Sequence, residues 1–223
     1  MSDEILEPPG SIAILGGGLL GLEAALYGRF LGYDVQVFEA FEIGRPWLAE
    51  GDAALDFLPA RGISELALQA IRAQQDAQQV PLALPTTARR WAEEIVLPLA
   101  EVDLLAGRVH SHHRVTAIDR VPNEQEPTEL DFRIHCDVRE APWTFEALID
   151  TADWSLQAGD NFGQPLSESV PYFYCLTVGE NAGEGAMTAN WEQRSRAGRE
   201  QIRQIFAALG DRPTLDLYRP RRL

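Results

Sequence analysis

A run of glycines placed directly after a short apolar stretch constrains this chain more than any other feature. Ser11-Ile12-Ala13-Ile14-Leu15 reads as a buried strand, and Gly16-Gly17-Gly18-Leu19-Leu20-Gly21 follows it with the spacing G-x-G-x-x-G. The pattern predicts a helix from about Leu20 to Gly32 and a second strand over Tyr33 to Glu39. Strand, glycine turn, helix and strand in about 30 residues make one βαβ unit. The right-handed crossover rule then sets the two strands side by side and parallel. In such a unit Gly16 permits the tight turn, Gly18 lets a pyrophosphate approach the backbone, and Gly21 lets the helix pack close to the strands. The N–H groups of the first helical turn, around Leu19 and Leu20, add a partial positive charge for phosphates. Glu39 lies 18 residues after Gly21, near where an acid accepts hydrogen bonds from a ribose diol. Ala40 and Phe41 follow it, with no arginine at once, so the carboxylate disfavours a 2'-phosphate.

The rest of the chain extends this unit. A helix is predicted over Ile63 to Gln78, with Ile63, Leu66, Ala67, Ala70 and Ile71 on one face and Pro81 and Pro85 ending it. Thr86 or Thr87 caps a further helix through Trp91 and Ile95 toward Pro98. Arg108 to Arg120 reads as a strand region centred on Val115 to Ile118. Phe132–Val138 and Trp143–Ile149 read as a hairpin-like pair about a turn at Arg139–Pro142. Another strand, Tyr172–Leu176, leads to a second glycine-rich turn, Gly179–Gly185. A closing helix over Thr188–Leu209 carries Trp191, Ile202, Ile205, Phe206 and Leu209 as its inner stripe. The expected fold is α/β, with a central parallel sheet, flanking helices and a small antiparallel β layer. We expect one domain over residues 1–223, with a flexible leader (1–10), the βαβ unit (11–40) and a basic tail (211–223).

Composition bounds the function. A formal charge of −15 repels phosphate backbones and anionic lipid surfaces, which argues against nucleic acid and peripheral membrane as partners. No apolar stretch approaches the roughly 20 residues of a membrane helix, and Met1-Ser2-Asp3-Glu4 lacks the basic start of a signal peptide. The cytoplasm is the expected location. Cys136 and Cys175 form no Cys-x-x-Cys pair and read as buried free thiols. His110, His112 and His113 cluster without a nearby Asp, Glu or Cys at zinc spacing, and read as a polar strand entry; no metal is expected. Ser155, Ser167 and Ser169 lie in no nucleophile elbow. No catalytic residue declares itself.

The stretch Ile12 to Ala40, with Gly16-Gly17-Gly18-Leu19-Leu20-Gly21-Leu22-Glu23-Ala24-Ala25 and Gly32-Tyr33-Asp34-Val35, resembles the N-terminal segment of FAD-dependent oxidoreductases of the flavin monooxygenase-like and disulfide-reductase-like kinds. The resemblance implies a Rossmann-type FAD/NAD(P)-binding fold with the ADP half of FAD on the glycine turn. Leu84 to Ala100 and Leu104 to Val109 look like the part leading into the adenine-contacting strand, which implies that the Val115 backbone faces the adenine ring. Leu148 to Asp153 looks like a divergent Ala-Thr-Gly turn without its glycine. Tyr172 to Gly185 resembles the segment near the ribityl chain, with Gly179-Glu180-Asn181 in place of Gly-Asp, and Trp154 and Trp191 border the two turns. Asp153 to Pro171 leaves no room for an inserted NAD(P) domain, which implies a small-molecule substrate or redox partner meeting the flavin directly. Two other readings stay open: a non-catalytic, degenerate nucleotide-binding protein, and an NAD-binding protein, since NAD presents the same ADP group.

Overall fold

The computed structural model describes residues 5–74, 87–152, 170–176 and 191–219. In chain order the strands are β1 (Ser11–Leu15), β2 (Asp34–Phe38), β3 (Val109–His110), β4 (Val115–Pro122), β5 (Leu130–Cys136), β6 (Arg139–Phe145), β7 (Ala147–Asp150) and β8 (Phe173–Cys175). The helices are α1 (Leu19–Leu31), α2 (Arg45–Glu50), α3 (Pro59–Gly62), α4 (Glu65–Gln74), α5 (Ala88–Trp91), α6 (Leu97–Ala100) and α7 (Trp191–Leu209). A π-helical turn over Ala92–Val96 joins α5 to α6. Pro98, which has no N–H to donate, lies just beyond it.

Five parallel strands form one sheet in the order β3-β2-β1-β7-β8, and β4-β5-β6 form a separate antiparallel sheet. β1 and β2 run in step from Ser11↔Asp34 to Leu15↔Phe38, so both end at the same level. Alternation along the strands divides the core in two. Ile12, Ile14, Val35, Val37 and Ile149 pack with α1 and α7 on one face. Ala13, Leu15, Phe38 and Leu148 pack on the other face against Val115, Ile118, Phe132, Ile134 and Phe145 of the antiparallel sheet. A central strand covered on both faces has no polar side, which explains the unbroken apolar run of β1. The expected α/β architecture with a small antiparallel layer is the observed one.

Three boundaries differ from the sequence reading. The region Arg108–Arg120 divides: Val109–His110 joins the parallel sheet, and Val115 onward joins the antiparallel one. The β5–β6 turn lies at Asp137–Val138, with Cys136 paired to Arg139, and Arg139–Pro142 belongs to β6. The predicted strand Trp143–Ile149 changes sheets at Glu146, whose carboxylate accepts hydrogen bonds from the Ser11 N–H at 2.6 Å and the Ser11 hydroxyl at 3.1 Å. Apolar alternation continues across this junction, so periodicity alone reads one strand. The described parts of both ends pack on the core. Leu6 is buried, and its N–H donates to the Leu209 carbonyl at 3.0 Å. Leu215, Leu217 and Tyr218 pack on the core, and the Leu217 N–H donates to the Tyr27 hydroxyl at 3.1 Å.

Thr87 caps α5 by accepting from the Arg90 N–H, and Ser64 caps α4 by accepting from the Ala67 N–H. All five residues expected on the inner stripe of α7 are buried. Pro81, Pro85, Thr86, Trp154, the three serines and Gly179–Gly185 lie outside the described residues. Among the described residues no helix is long and apolar enough to cross a membrane.

A helical carboxylate lies inside this packing. Glu23 on α1 is 1% exposed. Its Oε1 accepts from the Ser64 N–H at 2.9 Å and lies 3.9 Å from Arg199 Nη1. Burial raises its pKa above the usual carboxylate range, and Arg199 and Ser64 offset only part of that. A carboxyl that holds its proton more tightly when folded contributes stability fully present below its unfolded pKa and lost as pH rises through its folded pKa. Glu23→Gln therefore gains on the wild type as pH is raised from 4.5, read from urea midpoints at successive pH values. A wild-type-to-variant difference independent of pH would show that folding leaves the Glu23 pKa unshifted.

Candidate functional site

The strand order reverses beside β1, because β2 and β3 extend on one side and β7 and β8 on the other. In open parallel sheets, ligands bind in the crevice beyond the carboxyl ends of the strands at this switch point. The glycine turn stands there. Gly16 leaves β1 with φ +99°, a conformation that favours glycine, and its N–H donates to the Phe38 carbonyl at 2.8 Å. From β7, the Thr151 N–H and hydroxyl both donate to the Leu15 carbonyl, at 2.9 and 2.8 Å, and the hydroxyl also reaches the Gly16 carbonyl at 3.2 Å. A Cβ on Gly16 would stand 2.7 Å from that hydroxyl, and one on Gly21 would fall on the Gly16 carbonyl oxygen. A Cβ on Gly17 would meet Ile43 Cδ1 at 2.5 Å and Glu39 Cβ at 2.8 Å. Three of the four glycines are thus fixed by packing.

Gly18 is different. It is exposed, its φ of −66° and ψ of 172° suit any residue, and a Cβ built on it meets nothing within 4 Å. It precedes the first residue of α1, a helix of 13 residues whose N-terminus carries no side-chain cap. The helix dipole and the N–H groups from Leu19 to Gly21 therefore face the same opening as Gly18.

Glu39 closes the other side. Its Oε2 accepts from the Gly17 N–H at 2.8 Å, and its Oε1 from the Phe41 N–H at 3.0 Å. A carboxylate has about four acceptor positions, so each oxygen keeps capacity for a hydroxyl donor. Ala40 is half-buried beside it. The segment after β3 runs along the same strand end, with the His113 N–H donating to the Glu39 carbonyl at 2.8 Å. Val115 begins β4 two residues later and packs with Leu15 and Phe38. Gly16 to Gly21, Glu39, Ala40 and Val115 thus come to one end of the sheet. The sequence reading did not single out Ile43 or the Thr151 hydroxyl as part of the turn; Thr151 was visible only as part of the divergent turn after β7.

The other residues singled out in the sequence do other things. The His110 ring stacks on Phe38, and its Nε2 lies 2.8 Å from Gln36 Oε1; burial lowers its pKa, helped by His113 and Arg139. Among the described residues no group of three His, Cys, Asp or Glu is placed to hold a metal. Cys136 is buried, and burial pushes its thiol up to about 11, so it stays protonated and unreactive near neutrality; Cys175 is only half-buried. The Trp191 indole N–H donates to the Gly62 carbonyl at 3.0 Å inside an aromatic cluster with Trp47. An open cleft of about 1200 Å³ lined by Glu7, Ser11, Arg120, Asp131 and Glu146 lies at the opposite end of β1.

No family model matches this chain, and no curated protein matches it. Among solved structures it is similar to OTEMO in complex with FAD and NADP, with a TM-score of 0.47 and 21% identity over 65% of this chain and 25% of that one. It is also similar to an oxidised steroid monooxygenase bound to NADP, with a TM-score of 0.48 and 20% identity over 64% of this chain and 26% of that one. FqzB aligns with a TM-score of 0.43 and 14% identity over 66% of this chain and 37% of that one. The chain spans about a quarter of the length of the two monooxygenases.

The glycine geometry predicts two different outcomes. Gly21→Ala drives a methyl group into the Gly16 carbonyl and destabilises the chain by at least about 1–3 kcal/mol, the usual cost of overpacking. Gly18→Ala, which meets no clash and only exchanges one N-cap residue for a poorer one, costs no more than about 1 kcal/mol of unfolding free energy. Equal losses in the two variants would show that Gly18 also serves the fold.

Proposed function

We propose that this chain binds the ADP half of FAD at the carboxyl ends of β1 and β2 and belongs to the flavin oxidoreductase class. Gly18 carries the reading: packing leaves room for a side chain at this N-cap position, and it is the one at which a side chain would stand in the path of a pyrophosphate approaching the α1 N-terminus. The N–H groups over Leu19 to Gly21 would hold the phosphates. Glu39 would accept from the ribose hydroxyls while Gly17 and Phe41 keep its carboxylate in place. Ala40 and the Val115 backbone would line the adenosine. FAD stands ahead of NAD on the resemblance of Ile12–Ala40 to flavoproteins, since the ADP site serves both.

Bound FAD supplies the redox chemistry, and the protein's part is to fix its position and electrostatics. The chain is read as one domain over residues 1–223, acting in the cytoplasm, with a small-molecule substrate or a redox partner meeting the flavin directly.

The visible absorbance of the purified protein, before and after adding FAD, tests the reading. Yellow protein with flavin bands supports it; colourless protein that ignores FAD but binds ADP favours NAD; failure to bind either removes the nucleotide site. Within the reading, Gly18→Val abolishes FAD and ADP binding in a folded protein. Glu39→Ala weakens both by about 1.5–3 kcal/mol, the worth of hydrogen bonds to a charged group, while FMN, which has no adenosine ribose, is unaffected. Calorimetric titration measures each, and unchanged FAD affinity in the Glu39 variant would make Glu39 a brace for the turn alone.

A further inference from the structure

The end of β2 carries a feature that neither the glycine turn nor Glu39 requires. Phe41 is 41% exposed, and two guanidinium groups lie over its ring, Arg45 with Cζ 3.9 Å from the ring centroid and Arg114 at 4.9 Å. Arg114 is remote in sequence and is brought there by the backbone. The Glu39 N–H donates to the His110 carbonyl at 2.9 Å, and the His112 N–H donates to the Phe41 carbonyl at 3.0 Å. The Arg114 N–H is held by the Asp137 carboxylate at 3.1 Å. Because the Phe41 N–H also donates to Glu39 Oε1, the ring, its two guanidinium groups and the carboxylate form one connected piece.

Among the described residues neither Arg45 nor Arg114 makes an ion pair. That is notable in a chain of net charge −15, where carboxylates outnumber cations. Both arginines lie instead on an aromatic ring, an arrangement a planar guanidinium favours. A guanidinium held in this way keeps a flat, weakly hydrated face for a further π system. Glu39 stands beside it and would repel a phosphate placed at this end, whereas a neutral base meets no such repulsion. Arg114 also directly precedes Val115, the residue proposed to line the adenosine.

We infer that Phe41, Arg45 and Arg114 form the adenine-side wall of the site, with the adenine ring of the ligand stacked on the Arg114 guanidinium. The inference rests on the nucleotide reading of the glycine turn. Arg114 is the specificity residue for a flat base, Phe41 is the surface that holds it, and Arg45 braces the same ring from the start of α2.

Calorimetric titration with ADP and with ribose 5-diphosphate, which carries no base, tests it on the wild type, Arg114→Ala and Arg114→Lys. The Arg114 side chain is exposed, and circular dichroism verifies that both variants fold. Both variants lose about tenfold in ADP affinity, within the range for removing one base-stacking side chain. Arg114→Lys binds ribose 5-diphosphate as the wild type does, since its charge is kept. An Arg114→Lys protein that binds ADP like the wild type would reduce Arg114 to a charge and overturn the stacking role. Full ADP affinity in Arg114→Ala would overturn the wall itself, with the nucleotide reading intact. A wild type that ignores ADP would overturn both.

Discussion

The contact between the end of β1 and the turn after β7 is the constraint on which the rest of the molecule depends. The Thr151 hydroxyl bridges the Leu15 and Gly16 carbonyls, and Gly21 brings α1 down onto the Gly16 carbonyl. These contacts occupy the switch point of the sheet. They leave no room for a side chain at Gly16 or Gly21, so α1 leaves the turn at one angle only. The same angle carries Gly28, two turns further on, to within side-chain contact of Phe206 and Val35, and so lets α7 pack across α1. Tyr27 and Phe206 then stack at 5.2 Å, and the C-terminal segment closes over them through Leu217 and Tyr218.

The two faces of the parallel sheet are covered by unlike layers, with consequences for the site. Helices cover one face and present the N-terminus of α1 to the crevice. On the other face the connection from β3 to β7 runs through the antiparallel sheet, which returns to β1 through Glu146 and Ser11. That detour carries residues 110–115 past Glu39 before the chain turns away. Arg114 and Val115 therefore stand beside the end of β2 although they are far from it in the chain. Local sequence makes the phosphate end of the crevice, and long-range topology makes its adenosine end.

This division decides how much was legible. Strand, glycines, helix, strand and acid occur in one continuous stretch, and each local preference agrees with the next, so β1 to Glu39 reads directly from the sequence. The stripe of α7 and the Thr87 cap read equally well, because a helical period and a cap are local signals. The change of sheet at Glu146 did not, since Phe145, Ala147 and Ile149 keep an apolar alternation across it. At the end of β6 stands a carboxylate whose partner, Ser11, lies 135 residues away in the chain. The buried Glu23 was unreadable for a similar reason: it stands among helix formers, and its partners Ser64 and Arg199 come from two distant segments. Arg114 falls in the same group.

The distinction among the glycines also bears on a chain with this much negative charge. A net −15 opposes a polyanionic ligand only as far as its field reaches, and salt confines that to roughly 8 Å at physiological ionic strength. At the crevice stand the N–H donors of α1, the Glu39 carboxylate already engaged by two backbone N–H groups, and Arg45 and Arg114, which make no ion pair among the described residues, together with the carboxylates of Asp137 and Asp150. Gly16, with its positive φ, and Gly21, against the Gly16 carbonyl, are glycine for reasons of backbone, and Gly17 is held small by the Ile43 and Glu39 side chains of this chain. Their identity describes the fold. Packing places no such demand on Gly18, the N-cap residue of α1, where a side chain would have room, and the donors gathered around it favour an anion.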